Sequence, residues 1–275
     1  MIRDLLAIVD NADRAAPMLE RFAESARLLK AEASVTLLTA APVLAPDLAP
    51  LGSVYVPEDV LDSEARAGID AIRAQFDRHQ VPVRVRGLCN DVTWLAGDLR
   101  HSGQLADLIV VGASADWRIE WLRRRVAESV LMGSGTPLLL LPDGGALPPV
   151  RHAVLAWKPS TEAARALHAL VAIAEPGAIV DVVTIGDPHE PCEEETASAR
   201  EVARHLKLHR FDPRMHYFEC RDRVEADLIQ KFAVETGADL IAAGGFGHSR
   251  IREIILGGVT RDLIAAPRLP VLLAH

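Results

Sequence analysis

The chain has 275 residues, 49% of them hydrophobic and 25% charged, which supports about two domains at roughly 100–150 residues each. A formal net charge of -8 and an aromatic content of 4% exclude the basic field and the stacking platforms of a nucleic-acid binder. Cys89, Cys192 and Cys220 are too few and too scattered for a disulfide framework or a thiolate zinc site. With no signal segment at Met-Ile-Arg-Asp and no apolar run near the ~18 residues that span a bilayer, a cytoplasmic protein without a membrane partner is expected.

Short apolar runs alternate with longer amphipathic stretches, the pattern of parallel βα units. Leu5–Asp10 reads as a strand and Arg14–Ala31 as a helix, with Met18, Leu19, Phe22, Ala26 and Leu29 at helical spacing. Ser34–Thr39 is a strand, 41–57 a proline-rich loop, Asp59–His79 a helix and Val83–Leu88 a strand. Val92–His101 reads as a helix, Asp107–Val111 as a strand, Glu120–Met132 as a helix and Pro137–Leu141 as a last strand. Within that last helix Arg123, Arg124 and Arg125 read as a solvated face. The turn-rich segment 143–150 is a linker.

The pattern then restarts. Strands are expected at His152–Trp157, Ile179–Ile185, Met215–Cys220, Leu240–Ala243 and Val271–Ala274. Helices are expected at Thr161–Ile173, capped by Ser160, at Glu193–Leu206, at Glu225–Thr236, stopped by Gly237, and at Arg250–Ala265. Ala-Asp-Leu-Ile-Val-Val-Gly at 106–112 parallels Ala-Asp-Leu-Ile-Ala-Ala-Gly at 238–244, so the halves are copies. The predicted fold class is α/β: two tandem doubly wound, Rossmann-like domains, 1–142 and 151–275, each with a five-stranded parallel sheet flanked by helices. Ligands in such sheets bind beyond the carboxyl ends of the strands, where the strand order switches.

The strongest motif follows the fourth strand of the second half: Gly244-Gly245-Phe-Gly247-His248, eight further residues, then Gly257-Gly258-Val259-Thr260. A glycine-rich strand-to-helix turn directs backbone N–H groups at an anion. Gly257 and Gly258 interrupt a helical stretch, where each costs about 1 kcal/mol relative to Ala. Close approach of a ligand, a helix starting at that point, or tight turns with close helix–sheet packing all account for them.

This pattern resembles the ATP-binding motif of the universal stress protein family, as do the Val-Thr-Arg-Asp-Leu-Ile and Pro-Val-Leu-Leu runs that follow. The resemblance spans the chain as a tandem pair, strong in the second half and weak in the first. It implies that Gly244, Gly245, Gly247, His248, Gly257, Gly258, Val259 and Thr260 surround ribose and phosphates, with Ile185 near the base. Two positions depart from the family: Lys158 stands where an Asp contacts adenine, and Gly258 where a Ser or Thr binds phosphate. The first half keeps Asp10 but has Gly112-Ala-Ser-Ala115, with Arg125 and Val126 opposite Gly257 and Gly258, and reads as a degenerate site.

His205 and His209 have zinc-compatible i, i+4 spacing, but no further ligand at motif spacing completes a site, so no metal site is expected. No catalytic arrangement is present: neither a Gly-x-x-x-x-Gly-Lys loop nor a Gly-x-Ser-x-Gly elbow occurs. The expected function is therefore a non-enzymatic stress-response sensor or regulator binding ATP, ADP or AMP, alone or with magnesium. Pairing through the last strands of the two halves, or as a homodimer, is implied by the resemblance. The rival readings are a structural or interaction module that has lost nucleotide binding, and a slow nucleotide hydrolase.

Overall fold

The computed structural model describes residues 2–41, 58–91, 95, 97, 99, 103–147, 149–186, 193–219, 225–246 and 258–275. Two compact units divide between Thr136 and Pro137.

In the unit 2–136, strands β1 (Asp4–Val9), β2 (Glu32–Ala41), β3 (Val83–Asp91) and β4 (Leu108–Val111) form a parallel sheet ordered β3-β2-β1-β4. Leu5 to Val9 and Leu108 to Val111 are all buried, as expected of strands covered on both faces. Helix α1 (Ala12–Leu29) starts at Asn11, whose side chain accepts the Arg14 N–H, and buries Met18, Leu19, Phe22 and Ala26. Phe22 meets Phe76 of α2 (Glu58–Arg78) edge-on at 6.2 Å between ring centres. Helix α3 (Glu120–Gly133) completes the regular elements of this unit among the described residues. The expected helix 92–101 lies almost wholly outside them.

The unit 137–275 carries β5 (Leu138–Leu140), β6 (Val150–Ala156), α4 (Thr161–Ile173), β7 (Ala174–Gly186), α5 (Glu193–Leu208) and β8 (Asp212–Glu219). It continues with α6 (Glu225–Thr236), β9 (Leu240–Gly244), α7 (Gly258–Ala265) and β10 (Val271–Ala274). Its sheet runs β5-β10-β9-β6-β7-β8, parallel throughout except for β5. Helix α6 ends at Gly237, which takes the left-handed φ of +68°. The expected helix from Arg250 is described only from Gly258 onward.

Read from sequence, Pro137–Leu141 closes the first domain. In the structure Leu138, Leu139 and Leu140 pair antiparallel with Leu273, Leu272 and Val271, so the strand packs with residues that follow it. Both β5 and β10 are fully buried apolar strands.

The duplicated Ala-Asp-Leu-Ile motif does the same work in each unit. Asp107 Oδ2 accepts the Arg3 and Asp4 N–H groups at 2.6 and 3.1 Å. Asp239 Oδ2 accepts those of Arg151 and His152 at 2.8 and 2.9 Å. Each carboxylate satisfies the donors that enter the central strand of its sheet.

Candidate functional site

In the unit 137–275 the strand order reverses between β6 and β9, which places a crevice at their carboxyl ends. A cavity of about 250 Å³ lies there. That is slightly below the roughly 300–1,000 Å³ of common small-molecule pockets. Lys158, Ile185, Gly244, Gly258, Val259 and Thr260, six of the residues singled out in sequence, all line it. Gly245 is one residue outside the lining and donates its N–H to Ala274 O at 2.8 Å. Gly247, His248 and Gly257 lie outside the described residues.

Each wall has a structural origin. Strand β6 delivers Ala156, Trp157 and Lys158, and the Trp157 N–H continues the ladder to Val183 O at 2.8 Å. The Trp157 indole is buried, and its Nε1 donates to Ser198 Oγ at 3.1 Å. Ser160 caps α4 by accepting the Ala163 N–H at 3.0 Å, which leaves its hydroxyl proton available to another acceptor. Strand β7 adds Val183 and Ile185, and α6 adds Glu225 and Ile229. Trp157, Ser160, Ala163, Val183, Glu225 and Ile229 were not read from sequence as site residues. Their signal was available only in retrospect, since each sits at the carboxyl end of a strand or in the first turns of the following helix.

The electrostatics of the cavity are mixed. The first turns of α4 and α7 border it, and helix N-termini carry partial positive charge. Lys158 is exposed and makes no ion pair among the described residues, so its ammonium adds a mobile cation. Glu225, exposed on α6, is the one acidic residue in the lining. Ala156, Val183, Ile185 and Ile229 form an apolar side.

The glycines separate into two kinds. A Cβ built on Gly244 would lie 2.6 Å from Ala163 N, 2.9 Å from Glu162 C and 3.0 Å from Ala163 Cα, all backbone atoms of α4. Packing of β9 against α4 alone therefore demands glycine at 244. A Cβ on Gly258, which lines the cavity, meets nothing within 4 Å among the described residues. Thr260 is buried, and its Oγ1 accepts the Phe246 N–H at 3.1 Å. Phe246 has a φ of +59°, uncommon for a residue with a Cβ, and this hydrogen bond helps hold the turn.

The corresponding region of the unit 2–136 is built differently. Asp10 accepts the Arg118 and Ile119 N–H groups, both at 2.8 Å. Burial raises its carboxyl above the usual range, and those two N–H bonds partly offset the rise. Arg123 is 2% exposed and donates from Nε to Gly112 O at 2.6 Å. Trp117 is buried, and its carbonyl accepts from Arg14 Nη1 at 3.0 Å. These contacts correct the reading of Arg123, Arg124 and Arg125 as one solvated face: Arg124 pairs with Glu128 at 2.8 Å, Arg125 is exposed, and Arg123 is core. Asp116, also buried, accepts the Ala113 N–H at 2.8 Å and would contact any Cβ on Gly112.

Residues 149–275 match the model of the universal stress protein family. A universal stress protein from Archaeoglobus fulgidus DSM 4304 superposes with a TM-score of 0.71 at 15% identity, covering 98% of this chain and 96% of that one. A functionally unknown protein from Pseudomonas aeruginosa PAO1 gives a TM-score of 0.60 at 14% identity, covering 99% and 92%. A universal stress protein solved in complex with cAMP gives 0.36 at 16% identity, covering 51% and 97%. No curated protein matches the chain. The first two likenesses show a shared fold along the whole chain.

Proposed function

We propose that residues 149–275, the segment matched by the universal stress protein family model, bind ATP or a related adenine nucleotide and act as a non-enzymatic regulator in a stress response. The observation that carries the reading is the crevice at the switch in strand order, lined by Lys158, Ser160 and the Gly258–Thr260 start of α7. Phosphate oxygens would be met by the N-terminal N–H groups of α7, the Ser160 and Thr260 hydroxyls and the Lys158 ammonium. The base would rest on the apolar side formed by Ala156, Val183 and Ile185. Lys158 replaces recognition by an acid with attraction of an anion, so affinity in this domain comes from phosphate more than from adenine. One nucleotide per chain is expected, because in the first unit Asp10 already accepts two backbone N–H groups and Arg123 is turned into the core.

A second reading, an interaction module without a ligand, is favoured by Gly244, whose glycine is required by packing alone. A thermal-shift titration with ATP, checked by calorimetry, separates the two. At 100 times its dissociation constant a ligand stabilises the folded state by about 2.7 kcal/mol. The expected rise in melting temperature is roughly 5–10 °C at about 2–4 °C per kcal/mol. Gly258→Trp, which fills open space in the lining, should remove that rise while leaving the circular dichroism unchanged. No rise at millimolar ATP, or one that survives Gly258→Trp, would end the nucleotide reading for this cavity.

A further inference from the structure

One peptide unit beside the cavity is gripped at both of its polar ends. The chain leaves β9 through Gly244, Gly245 and Phe246. The Gly245 N–H donates to Ala274 O at 2.8 Å, which extends the β9–β10 ladder. The Gly245 carbonyl lies 3.0 Å from His275 Nδ1, and the N–H of the same peptide unit, on Phe246, lies 3.1 Å from Thr260 Oγ1. The His275 ring meets that of Phe246 edge-on at 6.4 Å between centres. The main-chain oxygen of His275 accepts from Arg165 Nη1 of α4 at 2.6 Å.

Chemistry fixes the direction of each bond. A carbonyl oxygen only accepts, so His275 Nδ1 carries the hydrogen and donates. A backbone N–H only donates, so Thr260 Oγ1 is the acceptor there and keeps its own hydroxyl proton for another partner. Thr260 is buried in the first turn of α7 and lines the cavity. Donation into the carbonyl of a peptide polarises its N–H, so the bonds of such a chain reinforce one another. From His275 the chain runs through one peptide unit to the Thr260 hydroxyl at the cavity wall.

We infer that His275 is a positioning residue for the ligand's phosphate, holding and polarising Thr260 through the Gly245–Phe246 peptide; this rests on the nucleotide reading of the cavity. Among the described residues neither His275 nor Phe246 lines the cavity, so the effect is indirect. The turn needs such a clamp. Phe246 sits at a φ of +59°, which a residue with a Cβ adopts at a cost, and its surroundings must hold it there. Thr260 holds one end of the peptide and His275 the other. Without the His275 donor the peptide rotates more freely, and Thr260 loses the contact that aligns its hydroxyl. Motif spacing gave no sign of this role, since His275 is 30 residues from Gly245.

The test is calorimetric titration of ATP into the full-length chain carrying His275→Phe or His275→Asn, each checked for wild-type circular dichroism. Phe keeps a ring against Phe246 and removes the donor. Asn places an amide N–H near the position of Nδ1 and restores it. His275→Phe is expected to weaken ATP binding roughly fivefold, the loss of one hydrogen bond of this kind. His275→Asn should return the affinity to within about twofold of wild type. A histidine needed only for its bulk would not give that split, because Phe is the closer match in shape. In a Thr260→Val background His275→Phe should have no further effect, because the relay ends at the missing hydroxyl. Wild-type affinity in His275→Phe, or Asn no better than Phe, would overturn the inference and leave the nucleotide reading intact. So would an undiminished effect of His275→Phe in the Thr260→Val background. Absence of ATP binding by the wild-type chain would end both.

Discussion

Adding one methyl group at Gly244 tests how this domain is assembled. Its Cβ would stand 2.6 Å from Ala163 N, where ordinary contacts between heavy atoms need about 3.5 Å or more. Strand β9 and the first turn of α4 must therefore separate by roughly 1 Å. Neither side yields easily. Gly244 pairs with Ala274 at the end of a buried strand, and Ala163 lies in the turn capped by Ser160. Overpacking of this kind costs about 1–3 kcal/mol. At about 2–4 °C per kcal/mol, Gly244→Ala should lower the melting temperature of this unit by roughly 4–8 °C for a mid-range cost. Gly258→Ala is the internal control. Nothing among the described residues contests its Cβ, and Ala is the better helix former, so its change should lie between zero and about 1 kcal/mol of stabilisation. Thermal unfolding of both variants without nucleotide, followed by circular dichroism, measures the pair. Equal effects at 244 and 258, or a Gly244→Ala change within about 0.5 kcal/mol of wild type, would refute the packing argument and return Gly244 to a purely ligand-driven role.

Asp10→Ala removes the acceptor of two backbone N–H groups and should destabilise the unit 2–136 by about 1–3 kcal/mol, read by urea denaturation, with ATP binding elsewhere unaffected. Thr260→Val leaves the Phe246 N–H without its partner; a loss of about 0.5–1.5 kcal/mol and faster amide exchange at 246 are expected. His205 has a folded-state pKa below the ordinary 6.5, so the unfolded chain takes up a proton that the folded chain refuses. Its contribution to stability is complete above that ordinary value and is lost as pH falls from there toward the folded pKa. His205→Gln should therefore flatten the pH dependence of the melting temperature below about pH 6.5; an unchanged slope would show that another group carries it. Lys158→Glu should weaken ATP binding at least tenfold without changing the melting temperature of the free protein, since the side chain is exposed.

Much of the fold was legible because it follows from local chemistry. The βα alternation, the Ser160 cap and the Gly237 stop are all local signals, and Thr161–Ile173, Glu225–Thr236 and Val271–Ala274 were read to the residue. Turn chemistry put a linker at 143–150, the compact units divide between 136 and 137, and β5 pairs antiparallel with β10, the last-strand pairing that the resemblance implied. The basic triplet was misread. Three adjacent arginines on a helix point in three directions, and only the tertiary environment shows that Arg123 turns inward to the Gly112 carbonyl.

The candidate site divides along the same line. By itself the sequence determined that a glycine-rich turn follows a buried strand in the second copy, that Lys158 and Gly258 stand at its edge, and that Asp10 survives in the first copy. Periodicity and motif spacing carry that information because they act over a few residues. Only the tertiary structure decided that Gly244 answers to a helix roughly eighty residues earlier in the chain, while a Cβ at Gly258 meets nothing among the described residues. It also decided that Asp10 is spent on two backbone N–H groups, that Trp157 and Glu225 wall the cavity, and that the His168 ring meets that of His205. Those outcomes depend on distances between segments remote in sequence, and such distances exist only once the sheet has set its strand order.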